Sequence, residues 1–461
     1  MAGQDQDTIV AVATPLGVGG VGIIRVSGSR AGDMADSVFV SALDSFSGVK
    51  PYRLHHGWIR DKAGRTLDEV LVAYMPGPGS YTGEDVLEIN CHGGPAVLQA
   101  ILELCLETGA RAAEPGEFTK RAFLNGRLDL SQAEAVLETI NAGSTPSLEF
   151  AQNKLSGALR ARVEELRREM ENLRAQFCLA VDFPDEEVEC LPEKDLVRRL
   201  ESCIERIEEL ISNNERAAVW KEGAVVALAG RVNAGKSSLL NCILGRERSI
   251  VTEIAGTTRD YIEEEINLRG LPLRLVDTAG LRDSGDAVEK AGVKRCRELL
   301  RQADLILVVL DSTVGLDRED VEILREHAAK KTIVVANKSD LPDSVLIEEF
   351  PAGCGPEACM SVSAKTGAGI DCLLSRIREI LIGNRPEPGA NALVPNARQK
   401  NNLQQAAREL KLLLQDFRQG VPFDLLGVRL DYAGSSLAEI TGEIVSEDVL
   451  NSIFDNFCIG K

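Results

Sequence analysis

The sequence predicts a multidomain α/β plus α chain: an N-terminal α+β domain, a helical domain, and a phosphate-binding α/β domain with a mostly parallel sheet inserted into the helical one. Three observations carry this. The apolar run Ala224–Ala229 passes through Gly230-Arg231-Val232-Asn233-Ala234-Gly235-Lys236-Ser237 into Ser238–Leu244, the strand–loop–helix context that a G-x-x-x-x-G-K-[ST] match requires. Helical periodicity flanks that region on both sides, up to about Glu222 before it and from Arg398 after it. Ahead of both lie short β-branched runs separated by Gly- and Pro-rich turns.

Composition bounds the reading. At 461 residues the chain holds about three domains of ~150 residues. Aromatics make up only 4%, which argues against a base-stacking surface for single strands. The net charge of −19 argues against broad electrostatic attraction to nucleic acid, so any RNA contact needs a local basic patch or a partner. The 11 cysteines form no C-x-x-C pair and read as free thiols of a reducing compartment. Met1–Asp7 is acidic and polar, unlike a signal peptide, and no apolar run reaches the ~20 residues that span a bilayer. A cytoplasmic protein with no membrane contact is expected.

In chain order, Thr8–Val12 and Val21–Val26 read as strands around a turn from Leu16 to Gly22. Gly17-x-Gly19-x-x-Gly22 fits a dinucleotide fingerprint, but that motif must open a helix, and here it leads into Ile23, Ile24 and Val26. A glycine-rich β connection is the better reading. Glu69–Tyr74 and Asp85–Asn90 are further strands around Pro76–Gly83, followed by helices at Pro95–Thr108 and Ser131–Asn141. Arg25, Glu88, His92 and Arg127 are polar residues here that can serve a ligand. His92 has no neighbour at metal-ligand spacing, so zinc is not expected.

Leu155, Leu159, Val163, Leu166, Met170 and Leu173 recur every three or four residues, the apolar stripe of an amphipathic helix. Asp182–Glu187, with Pro184, reads as a turn and a solvated helix start before a second helix, Glu193–Asn214. Arg398–Phe417, Val421–Ala433 and Ser435–Thr441 repeat the texture. Inserted domains commonly have adjacent termini, which makes this arrangement easy to build.

Within the insertion, Lys236 offers charge to the outer phosphates and Ser237 a hydroxyl for magnesium. Thr252-Glu253-Ile254-Ala255-Gly256-Thr257-Thr258-Arg259-Asp260 is suited to close over a metal and the last phosphate. Ile262–Leu268 and Leu271–Val276, joined by Arg269-Gly270, form the domain's one antiparallel hairpin, ending at Asp277-Thr278-Ala279-Gly280. Asp277 can hold magnesium through water, and the Gly280 N–H can meet a γ-phosphate. Leu305–Leu310 and Thr332–Ala336 read as fully buried parallel strands. The second is followed by Asn337-Lys338-Ser339-Asp340, whose last carboxylate can accept from the ring N–H and exocyclic amine of guanine, a donor pair adenine lacks. A final strand precedes Ser363-Ala364-Lys365, whose backbone can reach the guanine oxygen. Four such motifs in order, each at a strand's C-terminal edge, predict a domain that binds and hydrolyses GTP.

Leu281 stands where Ras-type enzymes carry a glutamine that orients water, and leucine cannot hydrogen-bond. Arg259 and Arg282 are nearby, but neither is assignable as a finger. The Asn233 side chain and the carbonyls of Thr252–Thr257 can together hold a monovalent cation beside the phosphates instead.

These features resemble one family, the tRNA-modification GTPases called MnmE or TrmE. The resemblance runs the full length and rests on Gly19-Gly20-Val21-Gly22-Ile23, Thr82-Gly83-Glu84-Asp85, the GTPase motifs with Gly256-Thr257-Thr258-Arg259-Asp260, and the end Phe457-Cys458-Ile459-Gly460-Lys461. It implies a tetrahydrofolate-binding and dimerising domain over 1–120, a helical domain over 121–220 and 384–461, and a Ras-like P-loop GTPase domain over 221–383. It implies GTP contacts from Asn233, Ala234, Gly235, Lys236, Ser237, Ser238, Thr252, Glu253, Ile254, Ala255, Gly256, Thr257, Thr258, Asp277, Thr278, Ala279, Gly280, Asn337, Lys338, Asp340, Ser363, Ala364 and Lys365. Magnesium falls to Ser237 and Thr258, and potassium to Asn233, Thr252, Ile254 and Thr257.

Glu289, by itself a helix-start acid, becomes with Lys236 a catalytic residue. Arg25, Glu88, Arg127 and Lys461 become contacts to 5-formyl-tetrahydrofolate, with Cys458 close by. The family further implies a homodimer and a flavoprotein partner, MnmG. Together they add an aminomethyl or carboxymethylaminomethyl group at carbon 5 of the wobble uridine of certain tRNAs. Val232 departs from the proline common at its position, which affects loop stiffness more than chemistry. The alternative is a ribosome-assembly or translation GTPase acting as a nucleotide-gated RNA switch, which would be expected to carry a basic RNA-binding module.

Overall fold

A computed structural model of the chain describes residues 7–15, 17–182, 192–247, 263–277, 298–327, 330–342, 344, 356–383, 389 and 391–461. Two compact units result: Met1–Ile140 with Gln152–Glu209 and Asn396–Lys461, and Asn141–Ala151 with Leu210–Pro395. The second lies, in sequence, between parts of the first. The multidomain α/β plus α class expected from the sequence is the one found.

The first unit carries a seven-stranded sheet of β1 (Ile9–Val12), β2 (Gly19–Ser27), β3 (Phe39–Ser41), β4 (Leu54–Arg60), β5 (Thr66–Met75), β6 (Val86–Gly93) and β7 (Arg111–Ala112). Its order is β3-β4-β5-β6-β2-β1-β7. Alternation sets the two faces: Leu87, Ile89 and Cys91 of β6 point into the core, while Glu88, Asn90 and His92 do not. The helices Ala31–Val38 and Pro95–Glu107 cover the inner face through Met34, Val38, Leu98, Ile101 and Leu104. Strand β2 begins at Gly19, inside the expected turn, and absorbs the glycines by a register shift between Gly19 and Gly22. A Cβ on Gly22 would run into the Leu98 side chain, so this glycine serves sheet–helix packing and not a dinucleotide.

The helical part of the same unit contains Ala158–Asp182, Ala397–Arg418 and Phe423–Thr441, with Leu159, Val163, Leu166, Met170 and Leu173 buried as their spacing predicts. Asn396 opens the second of these with a reciprocal capping box to Gln399. Two expectations fail. Leu155 is the end of a separate helix, Thr145–Leu155, broken from the next at Gly157 with φ 87°. Val421–Ala433 and Ser435–Thr441 are one helix, Phe423–Thr441, running through Gly434. The buried side chains Leu430, Ala433, Leu437 and Ala438 keep a single helical stripe across that residue. Packing of this stripe outweighs the ~1 kcal/mol cost of an internal glycine.

Arg121, almost fully buried, is held by Asp7, Glu84 and Glu117, with nitrogen–oxygen distances of 2.7, 3.2 and 3.0 Å. Glu117 also accepts from both terminal nitrogens of Arg111 and from the Glu114 N–H. Burial works to raise the Glu117 pKa, but these hydrogen bonds and charges hold it below the ordinary glutamate value. A lowered carboxyl pKa adds stability above the unfolded value, here near 4.5, and loses it as pH falls through the folded one. Glu117→Gln is therefore expected to cost about 2 kcal/mol at neutral pH. Urea denaturation at pH 7 and pH 3.5 checks it: the gap to wild type shrinks at the lower pH, and an unchanged gap would contradict the assignment.

The second unit holds β8 (Ala224–Ala229), β9 (Glu263–Leu268), β10 (Leu271–Asp277), β11 (Leu305–Asp311), β12 (Thr332–Asn337) and β13 (Ala358–Ser361), in the order β13-β12-β11-β8-β10-β9. Every pairing is parallel except β9 with β10. That hairpin closes on Arg269 and Gly270, both at positive φ, the two-residue turn matching strand twist. Strands covered on both faces must be apolar throughout, and β8 and β11 divide their side chains accordingly. Val226, Leu228, Leu305, Leu307 and Val309 enter one core, while Ala227, Ala229, Ile306, Val308 and Leu310 enter the other.

Candidate functional site

The C-terminal ends of β8, β10, β11 and β12 converge on one edge of the parallel sheet, where ligands of open α/β sheets bind. The loop after β8 leads into the helix Lys236–Glu247, whose N-terminus carries the dipole end that favours anions. Close approach dictates its glycines. A Cβ on Gly230 would strike the Val309 carbonyl, and one on Gly235 the Asn337 side-chain amide. Asn233, exposed at the crown, takes φ 66°. Lys236 is buried and its Nζ donates to the Gly230 and Arg231 carbonyls, both at 2.8 Å. These carbonyls hold its charge at the mouth of the loop.

Asn337 joins three motifs. Its Nδ2 donates to the Ala234 carbonyl at 3.0 Å, and its Oδ1 accepts from the Ala364 N–H at 3.0 Å. Fully buried at the end of β12, it fastens the phosphate loop, its own loop and Ser363-Ala364-Lys365 together. Asp340 is exposed, and Ser363 Oγ donates to its Oδ1 at 2.7 Å, the leading cause of a carboxyl pKa below the ordinary range. The carboxylate is thus ionised, fixed in direction and open on one side. Lys338 pairs with Asp311 at 2.6 Å. Burial opposes ionisation of Asp311, but bonds from Lys338 and Thr313 keep its pKa low. Ser238 and Lys365 lie exposed beside these loops.

Ser237 Oγ donates to Asp277 Oδ2 at 2.8 Å. Two hard oxygen donors side by side fit magnesium, whose demand is for oxygen ligands. Thr252, Glu253, Ile254, Ala255, Gly256, Thr257, Thr258, Thr278, Ala279, Gly280 and Glu289 lie outside the described residues, as do Leu281, Arg259 and Arg282. Asn233 is therefore the one residue of the expected potassium set among the described residues.

In the first unit, Arg25 and Glu88 face each other across β2 and β6 and pair at 2.8 Å. Arg25 Nη1 also donates to the Gly460 carbonyl at 3.2 Å, and the guanidinium lies over the rings of Tyr81 and Phe118 at 5.4 and 5.9 Å. The Lys461 carbonyl accepts from the Phe118 N–H at 3.1 Å, fastening these last residues beside the strand pair. Burial first, then the nearby Arg25 charge, pushes the Lys461 amine pKa down. Exposed Cys458 lies one turn before it. Arg127 instead donates to the Ser80 carbonyl at 2.9 Å, next to Tyr81.

Comparison with known proteins decides the family. The family model described as GTP-binding protein TrmE N-terminus matches residues 8–127, and that described as MnmE helical domain matches 130–458. The tRNA modification GTPase MnmE of Nitratidesulfovibrio vulgaris is 49% identical over 99% of this chain and 100% of its own length. The chain belongs to the MnmE family. The MnmE of Lawsonia intracellularis is 46% identical, again over 99% of this chain and all of its own. Among solved structures, the G domain of the T. maritima FeoB iron transporter covers 34% of this chain and 98% of its own at 27% identity, with a TM-score of 0.27. Of the expected MnmE-type folate residues, Arg25, Glu88 and Arg127 fall in the N-terminal match.

Several residues at these sites went unnoticed in the sequence. Asp311 is one, although a carboxylate ending an all-apolar strand at the ligand edge was a usable signal. Tyr81 and Phe118 are others. Nothing in their local sequence marks them, because only the sheet and the last residues bring them to Arg25.

Proposed function

We propose that the chain hydrolyses GTP in the course of tRNA modification, as the relatives' shared name describes. The observation that carries the nucleotide half is the Asn337 hub, which registers a phosphate loop against an exposed Asp340 carboxylate oriented by Ser363. Lys236 Nζ is held at the mouth of the loop by the Gly230 and Arg231 carbonyls, where its charge can meet the outer phosphates with little reorganisation. Magnesium would be held by Ser237 and Thr258 and would supply charge neutralisation at the phosphates. In this reading Asn233, Thr252, Ile254 and Thr257 would hold potassium, and Glu289 would orient the attacking water. On the same reading the chain divides into 1–120, 121–220, 221–383 and 384–461.

The further reading is that Arg25, Glu88, Arg127 and Lys461 receive 5-formyl-tetrahydrofolate. The Arg25 guanidinium, paired with Glu88 and lying over Tyr81 and Phe118, suits a flat polar ring carrying carboxylates. The homodimer then works with the MnmG flavoprotein in the cytoplasm at carbon 5 of the wobble uridine. No helix among the described residues is long and apolar enough to cross a membrane.

Leu281 and Asn233 make potassium the decisive test. GTP turnover is expected to run about tenfold or more faster in potassium than in sodium at equal ionic strength. Equal rates in the two salts remove the cation from the reading.

A further inference from the structure

We propose that Arg231 is a positioning residue of the phosphate loop, acting through Lys236 and held by the cap of the helix that follows β11. The proposal rests on the GTPase reading above and concerns how this chain keeps its loop in shape. Gly230 is seated against Val309 and Gly235 against Asn337, which also bonds the Ala234 carbonyl, and the first half of the loop is tied outward by the Arg231 side chain. Its Nε donates to Asp320 Oδ1 at 3.1 Å and Nη2 pairs with Asp320 Oδ2 at 2.9 Å. Nη1 donates to Asp317 Oδ2 at 3.0 Å, and Nη2 reaches the Gly315 carbonyl at 3.3 Å.

The receiving end is rigid. Asp317 is the N-cap of the helix Arg318–Glu326 and Asp320 its N3 residue, each side chain accepting from the other's end of a capping box. Asp320 is fully buried, so its carboxylate depends on the guanidinium and the Asp317 N–H for compensation. A planar fork divided between two carboxylates and a carbonyl allows little rotation, which a lysine could not reproduce. The Arg231 carbonyl is one of the two oxygens that hold Lys236 Nζ. Fixing the Arg231 side chain therefore fixes where the phosphate-binding amine rests. Exposed Val232, the next residue, has no ring to restrict its φ, so the loop relies on this tether.

The same connection separates the two ends of the nucleotide. Asp311, at the start of the segment, holds Lys338 of the base-reading loop, while Asp317 and Asp320 hold the phosphate loop. Loss of the Arg231 tether should thus disturb phosphate recognition and leave base recognition intact.

The test uses the full chain with magnesium and measures dissociation constants for GDP and GMP, together with kcat for GTP. Arg231→Ala is expected to weaken GDP by about tenfold or more and to lower kcat, while GMP binding and the guanine-over-xanthine preference stay within twofold. Arg231→Lys should recover only part of the loss. Arg231→Ala combined with Asp317→Ala should be no weaker than Arg231→Ala alone, since both cut one tether. Equal loss for GDP and GMP marks a merely structural residue and overturns the proposal. So do GDP binding within twofold of wild type, and multiplicative losses in the double variant. Wild type serves as the control: failure of wild type to bind GDP sinks the GTPase reading itself, whereas normal wild type with an unaffected Arg231→Ala sinks only this inference.

Discussion

Asp340→Asn is expected to lower affinity for GTP by about 10³-fold or more and to raise affinity for xanthosine triphosphate. The wild-type carboxylate offers two acceptor oxygens where guanine presents a ring N–H and an exocyclic amine. The amide puts an NH₂ against one of those donors, leaving both unpaired in a closed contact, whereas xanthine has a carbonyl there that accepts from it. Ser363 Oγ bonds Asp340 Oδ1 at 2.7 Å, so the substituted side chain is held in the same direction and cannot turn away to relieve the mismatch. The exposure of Asp340 means that folding is unaffected. Competition binding with both nucleotides reads the exchange. Retained preference for GTP would contradict the guanine assignment.

Lys236→Ala is expected to cut GTP hydrolysis by about 10³-fold, through loss of the charge that meets the outer phosphates. The substitution also leaves the Gly230 and Arg231 carbonyls without their 2.8 Å donor. That adds a destabilisation of about 1–2 kcal/mol. The two effects separate in the measurement: turnover is lost at saturating GTP, while thermal unfolding shifts by only a few degrees. Wild-type turnover in this variant would remove Lys236 from the mechanism.

Much of this was readable from the chain because the physics was local. A strand buried on both faces must be apolar at every position, so Leu305–Leu310 and Thr332–Ala336 announced themselves as a parallel pair. The Arg269-Gly270 turn was likewise set by neighbouring residues. What was missed is long-range or competitive. The helix through Gly434 follows from packing that a propensity argument does not contain. The Arg231 fork joins residues 86 and 89 positions apart, and its partners Asp317 and Asp320 look like ordinary helix-start acids when read alone. Of the second site, Arg25 and Glu88 stand out in the sequence as polar residues that can serve a ligand, and only their folate role comes from the family resemblance. Their 2.8 Å pairing follows from strand register, which no single-strand pattern fixes.

The central claim is that a GTP-hydrolysing member of this family serves tRNA modification. Mass analysis of wobble uridines tests it most directly, in cells lacking the protein and in the same cells supplied with wild type or Lys236→Ala. The account predicts that the carbon-5 modification disappears in the deletion, returns with wild type and stays absent with Lys236→Ala. Unchanged wobble uridines in the deletion strain would contradict it.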